Sequence, residues 1–113
     1  MNVSLRNDRG FTMVAPTGRL DATTAPEFEQ RVNACIDQGA RKLVFDLGDL
    51  AYISSAGLRS VLATAKKLKA LGGTLSLCRP AGVVKEVIAL SGFEAFLSIH
   101  ETVDQAVQVK AGA

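Results

Sequence analysis

The sequence predicts one α/β domain with a mixed, mostly parallel β-sheet, an antiparallel hairpin at its N-terminus and about four α-helices. The length of 113 residues fits one domain and leaves no room for a second. Apolar residues make up 48% of the chain and charged residues 21%, enough for an ordinary core without disulfides or metal. Short apolar segments alternate with segments of helical periodicity, so crossover connections and parallel strands are expected.

The chain is expected to begin with a β-hairpin. Val3–Arg6 alternates apolar and polar residues, Asn7–Gly10 has the composition of a turn, and Phe11–Ala15 begins a second strand. Pro16 cannot donate a hydrogen bond to a neighbouring strand, so we expect it at an edge, at a bulge or at the end of its strand. The segment Gly18–Asp21 is then expected to leave the sheet.

The following segments predict a helix and a buried strand. Thr24–Glu27 has the S/T-x-x-E pattern of a capping box, with a proline in the first turn. Apolar residues then recur at helical spacing until Gly39, which ends the helix. These residues are Phe28, Val32, Cys35 and Ile36. Leu43–Leu47 is a continuous apolar run, typical of a strand buried on both faces, and Gly48–Ile53 is predicted to be a loop.

A second helix is predicted to begin near Leu58 and to end at the pair Gly72-Gly73. Its apolar residues recur in steps of three and four, which places them on one face. They are Leu58, Val61, Leu62, Ala65, Leu68 and Leu71. The lysines of this segment, Lys66, Lys67 and Lys69, form the densest basic group of the chain and are predicted to be a solvated helix face.

The remaining segments continue the alternation of strands and helices. Thr74–Cys78 predicts a strand, Pro80–Gly92 a third helix, and Phe96–Ile99 a short last strand. Thr102–Gln105 has the pattern of a second capping box and predicts a C-terminal helix. The tail after Val109 is expected to fray. The predicted order is therefore ββαβαβα(β)α.

Charge and composition argue against several classes of function. The 13 basic and 11 acidic side chains leave a formal charge of +2, and the basic residues are scattered, so no nucleic-acid partner is expected. The chain has neither the apolar region of a signal peptide nor a stretch of about 20 apolar residues, which predicts a cytoplasmic protein without a membrane partner. Cys35 and Cys78 match no metal spacing and are expected to be reduced core residues.

The parts of an enzyme are missing from the sequence. His100 is the only histidine and falls at the end of a predicted strand, which does not favour Ser-His catalysis. Ile53 stands where a nucleophile elbow around Ser55 would need glycine. Asp46 and Asp49 are expected to cap turns rather than share a proton. Without a phosphate-binding loop or a cluster of metal ligands, no catalytic residue, metal or cofactor is predicted.

The most informative residues are Ser54 and Ser55, which lie between the C-terminal end of a predicted buried strand and the start of a predicted helix. One of these serines could simply cap the helix by accepting a backbone N–H bond. Alternatively, one serine is a phosphorylation site, because a helix N-terminus tolerates the added negative charge. Gly57 fits the second interpretation if a partner approaches closely there, in which case Gly57→Ala should be neutral or slightly stabilising in the isolated domain.

Three segments resemble those of STAS domains, specifically bacterial anti-sigma factor antagonists. They are Gly18–Ala25, Asp46–Leu58 and Leu90–Phe93. The resemblance covers essentially the whole chain in the same order and implies one STAS domain over residues 1–113. It also implies partner switching, in which the unphosphorylated antagonist binds an anti-sigma factor that is a serine kinase with an ATP-binding fold. Phosphorylation breaks this complex, and a PP2C-type phosphatase restores it.

The resemblance also implies the site residues. Matched position by position, the phosphate acceptor is Ser55, with Ser54 as the only local competitor. Ser54 replaces an aspartate that the family often has, so kinase selectivity is expected to differ. Ala56 replaces a second hydroxyl, which leaves Ser55 as the clear candidate. The implied partner surface comprises Asp21, Thr23, Ser54, Ala56, Gly57 and Leu58. The alternative function is a STAS scaffold or lipid-transport accessory module that is never phosphorylated.

Overall fold

A computed structural model describes residues 1–108. The strands are β1 (Asn2–Asp8), β2 (Phe11–Leu20), β3 (Lys42–Asp46), β4 (Leu50–Ile53), β5 (Thr74–Cys78) and β6 (Ser98–His100). The helices are α1 (Ala25–Asp37), α2 (Ser55–Ala70), α3 (Gly82–Ser91) and α4 (Val103–Gln108). The order agrees with the prediction except for β4, which occupies most of the segment predicted to be a loop. The predicted fraying after Val109 lies outside the described residues.

The strands form one mixed sheet in which β1, β2, β3, β5 and β6 lie side by side in that order. β1 pairs with β2 antiparallel, and the other pairings of the described strands are parallel. β2 changes its parallel partner along its length, because Thr12–Val14 pairs with β3 whereas Gly18–Leu20 pairs with β4. The predicted mostly parallel sheet with an antiparallel N-terminal hairpin is thus confirmed.

Helices cover both faces of the sheet. The larger core joins α1, α2 and α3 to one face, and the ring of Phe28 packs edge-on against that of Phe45 with 5.1 Å between centroids. The smaller core lies on the other face, where Ala106 and Val107 of α4 pack with Val44. Because β3 contributes Phe45 to one core and Val44 to the other, its predicted burial on both faces is confirmed.

The N-terminal hairpin is longer than predicted and has a tighter turn. Only Arg9 and Gly10 connect its strands, and both have positive φ, 52° and 86°. Positive φ at both positions is the signature of a type I′ turn, whose twist suits a two-residue hairpin. At its other end β2 continues to Leu20, so the prediction that the chain leaves the sheet at Gly18 is wrong.

Pro16 lies inside β2, opposite Val3 of β1, and its predicted edge position is confirmed locally, because β2 pairs with none of the described strands on its other side at this residue. The carbonyl of Val3 accepts a hydrogen bond from Arg31 Nη2 at 3.2 Å, which indicates that it points away from β2. On the other side of β2, pairing with β3 ends at Val14 and pairing with β4 begins at Gly18. The missing N–H of Pro16 therefore leaves no ladder hydrogen bond unmade.

The buried face of α2 differs from the predicted apolar face. Its buried residues are Gly57, Ser60, Val61, Thr64 and Leu68. The predicted residues Leu58, Leu62 and Ala65 are only partly buried, and Leu71 is exposed. Burial of two hydroxyls is possible because the Ser60 hydroxyl donates to Glu29 Oε1 at 2.6 Å and the Thr64 hydroxyl donates to the Ser60 carbonyl at 2.9 Å.

The predicted lysine face of α2 is confirmed at two of its three positions. Lys66 and Lys69 are exposed, whereas Lys67 donates a hydrogen bond to Asn33 Oδ1 on α1 at 3.0 Å. With 16 residues, α2 is the longest of the described helices. Within residues 1–108, none of the helices has both the length and the apolar character needed to cross a bilayer.

The C-terminal elements lie close to their predicted positions. β5 and α3 agree with the prediction, while β6 begins at Ser98, two residues later than expected. The delay arises from a 3₁₀ turn in which the N–H of Phe96 donates to the Phe93 carbonyl at 3.1 Å. The second capping box is confirmed in part: the Thr102 hydroxyl oxygen accepts the Gln105 N–H at 3.1 Å, but the Gln105 side chain accepts the N–H of Glu101 rather than that of Thr102.

Candidate functional site

The ends of two neighbouring parallel strands bring the predicted site segments together. β2 ends at Leu20 and β4 ends at Ile53, and these two residues are partners in register. The N–H of Ser54 donates to the Leu20 carbonyl at 2.9 Å, which fixes the start of α2 against the end of β2. Asp21 and Ser54 are therefore the first residues beyond the two strands, at the carboxyl edge where α/β sheets meet ligands and partners.

Asp21 organises the turn that leads into α1. Its Oδ1 accepts hydrogen bonds from the Thr23 hydroxyl at 2.7 Å and from the N–H groups of Thr23 and Thr24 at 3.0 and 3.3 Å. The hydroxyl of Thr23 is the main reason why the pKa of Asp21 is lowered from 3.8. The Thr24 hydroxyl instead donates to the Arg19 carbonyl at 2.8 Å, so the predicted capping box at Thr24–Glu27 is wrong.

The two serines have different environments. Ser54 is the N-cap of α2, and its side-chain oxygen accepts the Gly57 N–H at 3.3 Å. Ser55 is the first residue of the helix and is exposed. Within residues 1–108, the hydroxyl of Ser55 has no hydrogen-bond partner. Helix capping, the alternative that the sequence left open, is thus the role of Ser54, and the hydroxyl of Ser55 stays accessible.

Gly57 is a packing residue, so little of it is accessible for the contact with a partner that the sequence predicts. It lies on the buried face of α2. A Cβ atom at this position would stand 2.7 Å from both the Leu20 carbonyl oxygen and Ile53 Cγ1, and 3.0 Å from Leu20 Cγ. Glycine is required here because α2 passes directly over the ends of β2 and β4. These contacts predict that Gly57→Ala destabilises the isolated domain, in contrast to the neutral effect expected from the sequence.

The other residues of the predicted partner surface differ in exposure. Thr23 is exposed, whereas Ala56 and Leu58 are partly buried. Leu58 packs against the larger core, so only part of its side chain is available to a partner. The accessible part of the predicted surface thus centres on Ser55 and on the turn that Asp21 and Thr23 form.

Sequence reasoning missed Arg19 and Tyr52, which are partner residues in β2 and β4. The guanidinium of Arg19 lies 4.2 Å from the centroid of the Tyr52 ring, and its Nε lies 3.7 Å from Asp21 Oδ2. The side chain of Arg19 is 63% exposed and belongs to the surface of this edge. The alternation of side chains along a strand could have identified Arg19. If β2 is extended to Leu20, Arg19 and Asp21 are two residues apart and lie on the same face of the sheet.

A second aspartate–arginine pair lies at the ends of β3 and β5. Asp46 Oδ1 accepts hydrogen bonds from Arg79 Nε at 2.8 Å and from the Gly48 N–H at 3.0 Å. The Asp46 side chain is only 8% exposed, and its hydrogen bond raises the pKa of Arg79. The predicted turn-capping role of Asp46 is confirmed, while Asp49 contributes its carbonyl, which accepts the Gly18 N–H at 3.4 Å.

The side chains that could be nucleophiles or ligands lie apart from Ser55. His100 lines a cleft of about 880 Å³ along β6, a cleft that neither Ser55 nor Asp21 borders. Cys35 and Cys78 are both free thiols, but only Cys78 is a core residue, and burial raises its pKa to about 12. Among residues 1–108, no three histidine, cysteine, aspartate or glutamate side chains are grouped closely enough to hold a metal ion.

The chain is similar to known proteins over nearly its whole length. Residues 2–106 match the STAS domain family. A Bordetella bronchiseptica protein named as the anti-sigma factor antagonist BtrV is 40% identical over 93 residues, which cover 82% of this chain and 80% of that protein. The family match includes the strands, the helices α1 to α3 and the edge around Ser55.

Two solved structures have closely similar folds. A crystal structure of an anti-sigma factor antagonist from Mycobacterium paratuberculosis has a TM-score of 0.87 and 25% identity, covering 95% of this chain and 91% of that chain. The cell fate determinant SpoIIAA from Bacillus, solved in its phosphorylated form, has a TM-score of 0.73 and 21% identity, with coverages of 95% and 97%. At this identity, the likeness to SpoIIAA concerns the fold alone.

Proposed function

The chain belongs to the STAS domain family, and we propose that it acts as an anti-sigma factor antagonist controlled by phosphorylation of Ser55. In its unphosphorylated form it binds an anti-sigma factor that is also a serine kinase with an ATP-binding fold, which releases the sigma factor. Phosphorylation of Ser55 by this kinase breaks the complex. A PP2C-type phosphatase then restores the binding form. The chain itself needs no catalytic residue for this role.

The observation that carries this proposal is the division of roles between the two serines at the start of α2. Ser54 occupies the capping position with its own hydroxyl, so Ser55 is not needed to stabilise the helix end. Ser55 is exposed and can enter the active site of a kinase without unfolding of the domain. Ser54 could not be modified as easily, because a phosphate there would replace the hydroxyl that caps Gly57.

Electrostatics support a switch that acts on binding rather than on folding. A phosphoserine carries a charge of about −1.5 to −2, which is favourable beside the unpaired N–H groups of a helix N-terminus. The same charge placed in a contact surface repels acidic groups and must be desolvated when a partner binds. SpoIIAA, solved in its phosphorylated form, has the same fold as this chain, which supports the compatibility of a phosphate with the STAS fold.

The test is phosphorylation by the anti-sigma factor kinase of the same organism, with ATP and mass spectrometry of the product. We expect one phosphate on Ser55, none in Ser55→Ala, and unchanged incorporation in the matched variant Ser54→Ala, which loses only a helix cap worth about 1 kcal/mol. Ser55→Asp should lower the affinity for the kinase in calorimetry while its melting temperature stays within a few degrees of the wild type.

Two results would contradict the proposal. Phosphate found only on Ser54 would identify Ser54 as the acceptor, and Ser55→Ala would then still be phosphorylated. Stable binding to the kinase with no phosphate transfer to either serine would favour the alternative function, a STAS scaffold or lipid-transport accessory module.

A further inference from the structure

We infer that Arg59 is the intramolecular partner of the phosphate on Ser55, an inference that rests on the function proposed above. In the phosphorylated chain the guanidinium of Arg59 pairs with the phosphate across one turn of α2. The modification therefore changes the surface in two ways: it adds a negative charge and it withdraws a positive side chain from contact with a partner.

The position of Arg59 on α2 supports this pairing. Ser55 and Arg59 are four residues apart in the same helix, and both are exposed. Side chains at this spacing are neighbours, with about 5–6 Å between their Cβ atoms. Helical side chains lean towards the N-terminus of their helix, so the long side chain of Arg59 has the reach to meet a phosphate on Ser55.

Arg59 is also not engaged elsewhere in the described part of the chain. Within residues 1–108 its guanidinium takes part in no ion pair or side-chain hydrogen bond. Arg19, the other arginine near this edge, already contacts Asp21 and lies over the ring of Tyr52. Arg79 is bonded to Asp46 at the ends of β3 and β5. Arg59 is therefore the arginine that can turn to the phosphate without breaking another contact.

The chemistry of the two groups favours the pair. Arginine presents its N–H groups as a planar fork that matches two oxygens of a phosphate, and such charge-assisted bonds are roughly twice as strong as neutral ones. A serine–arginine pair at this spacing gains little, since the hydroxyl is uncharged. Phosphorylation thus creates the interaction rather than strengthening an existing one. In consequence, a partner that reads Arg59 in the unmodified protein loses that contact when Ser55 carries phosphate.

The test installs phosphoserine at position 55 during protein synthesis, so that it does not depend on any kinase. Phosphorus NMR then follows the second pKa of the phosphate. We expect Arg59→Ala to raise this pKa by about 0.3 unit, because the second ionisation adds one negative charge beside the guanidinium and the shift therefore reports one ion pair at this spacing. Arg59→Lys should retain part of the effect, since it keeps the charge without the fork.

Two matched variants control for charge alone. Lys66→Ala removes one positive charge from the same exposed face of α2, at about 16 Å along the helix axis from Ser55. Arg19→Ala removes the arginine that is held by Asp21 and Tyr52. Lys66→Ala should leave the phosphate pKa within about 0.1 unit of the parent, because solvent and salt screen a charge at this distance. Arg19→Ala should have an equally small effect, because Arg19 is already held by Asp21 and Tyr52.

The inference is overturned if Arg59→Ala leaves the phosphate pKa unchanged, or if Lys66→Ala shifts it equally. Because Arg59 is exposed, its replacement should alter the melting temperature of the unmodified domain by less than a few degrees, so unfolding does not obscure the result. Failure of the pairing would leave the kinase reaction on Ser55 intact. Conversely, failure of the kinase to modify Ser55 would leave the phosphate titration unaffected.

Discussion

Two aspartate–arginine pairs sit at the carboxyl ends of neighbouring strands in this sheet, and they differ in burial and geometry. Asp46 and Arg79 are 2.8 Å apart, and the carboxylate is 8% exposed. Asp21 and Arg19 are 3.7 Å apart, with side chains 26% and 63% exposed. The first pair holds a loop against the sheet, whereas the second lies on an open surface.

The difference predicts that the buried pair serves stability and leaves the exposed pair available for contact. Burial of a carboxylate must be compensated by hydrogen bonds, and Asp46 Oδ1 accepts two, from Arg79 and from the backbone N–H of Gly48. An exposed pair contributes little to stability and can exchange partners at small cost. The surface at Asp21 and Arg19 is therefore suited to recognition, next to the N-terminus of α2 where Ser55 lies.

The largest expected effect tests how far the open edge, the exposed surface at Asp21 and Arg19, depends on the packing of Gly57 against the ends of β2 and β4. Gly57→Val should destabilise the domain by about 3 kcal/mol or more, because its side chain would overlap the Leu20 carbonyl and the side chain of Ile53. Gly57→Ala should lose about 1–2 kcal/mol, although alanine is the better helix former by about 1 kcal/mol. Denaturant unfolding measures both changes.

The neighbouring exposed position provides the control for Gly57. Ser55→Ala lies in the same turn of α2 and should change the free energy of unfolding by no more than about 0.5 kcal/mol. If Gly57→Ala instead unfolded at the wild-type denaturant concentration, α2 could not lie as close to the end of β2 as the structure places it.

The next largest effect tests whether the buried Asp46–Arg79 pair contributes more to stability than the exposed Asp21–Arg19 pair does. Asp46→Ala should destabilise the domain by about 2 kcal/mol, because it removes a charge-assisted bond to Arg79 and leaves the Gly48 N–H without its acceptor. Asp46→Asn should lose less, since its amide oxygen can still accept the N–H. Asp49→Ala is the matched control in the same loop, because Asp49 contributes only its carbonyl and should be nearly neutral. A loss from Asp46→Ala no larger than that from Asp49→Ala would contradict the structural role of the buried pair.

The contrast between these edges also explains what the sequence could predict. β3, β5 and α3 are specified by local apolar patterns, and the sequence placed them almost without error. Gly18–Leu20 and Leu50–Ile53 are strands because they pair with each other across a long separation, and neither segment has a strong strand pattern alone. Their pairing is a tertiary effect that periodicity does not contain.

The site was predictable to the same extent. The hydroxyl at the head of α2 follows from the strand-to-helix boundary, so Ser54 and Ser55 could be identified from the sequence. Which serine caps the helix depends on the residue at which α2 begins, and boundaries are the least certain part of any sequence-based prediction. The burial of Gly57 depends on how closely α2 approaches β2, and the Asp46–Arg79 pair joins residues 33 positions apart. Neither contact has a local signal.

The smallest expected effect concerns the open edge and appears only in acid. Folding lowers the pKa of Asp21, chiefly through the Thr23 hydroxyl, so the ionised carboxylate favours the folded state. This contribution is complete above the ordinary pKa of 3.8 and is lost as the pH falls through the lower, folded value. The stability difference between wild type and Asp21→Asn should therefore shrink as the pH is lowered from about 5 into this range. At neutral pH, Asp21→Asn should also lower the free energy of unfolding by less than Asp46→Ala does, because the Asp21–Arg19 pair is exposed.

Thr23→Val removes the hydroxyl that is the main cause of the lowered Asp21 pKa, so carbon NMR of the Asp21 carboxyl should find this pKa moved up towards 3.8. An unchanged carboxyl pKa in Thr23→Val would mean that the Thr23 hydroxyl does not hold the Asp21 carboxylate in solution at the 2.7 Å that the structure gives.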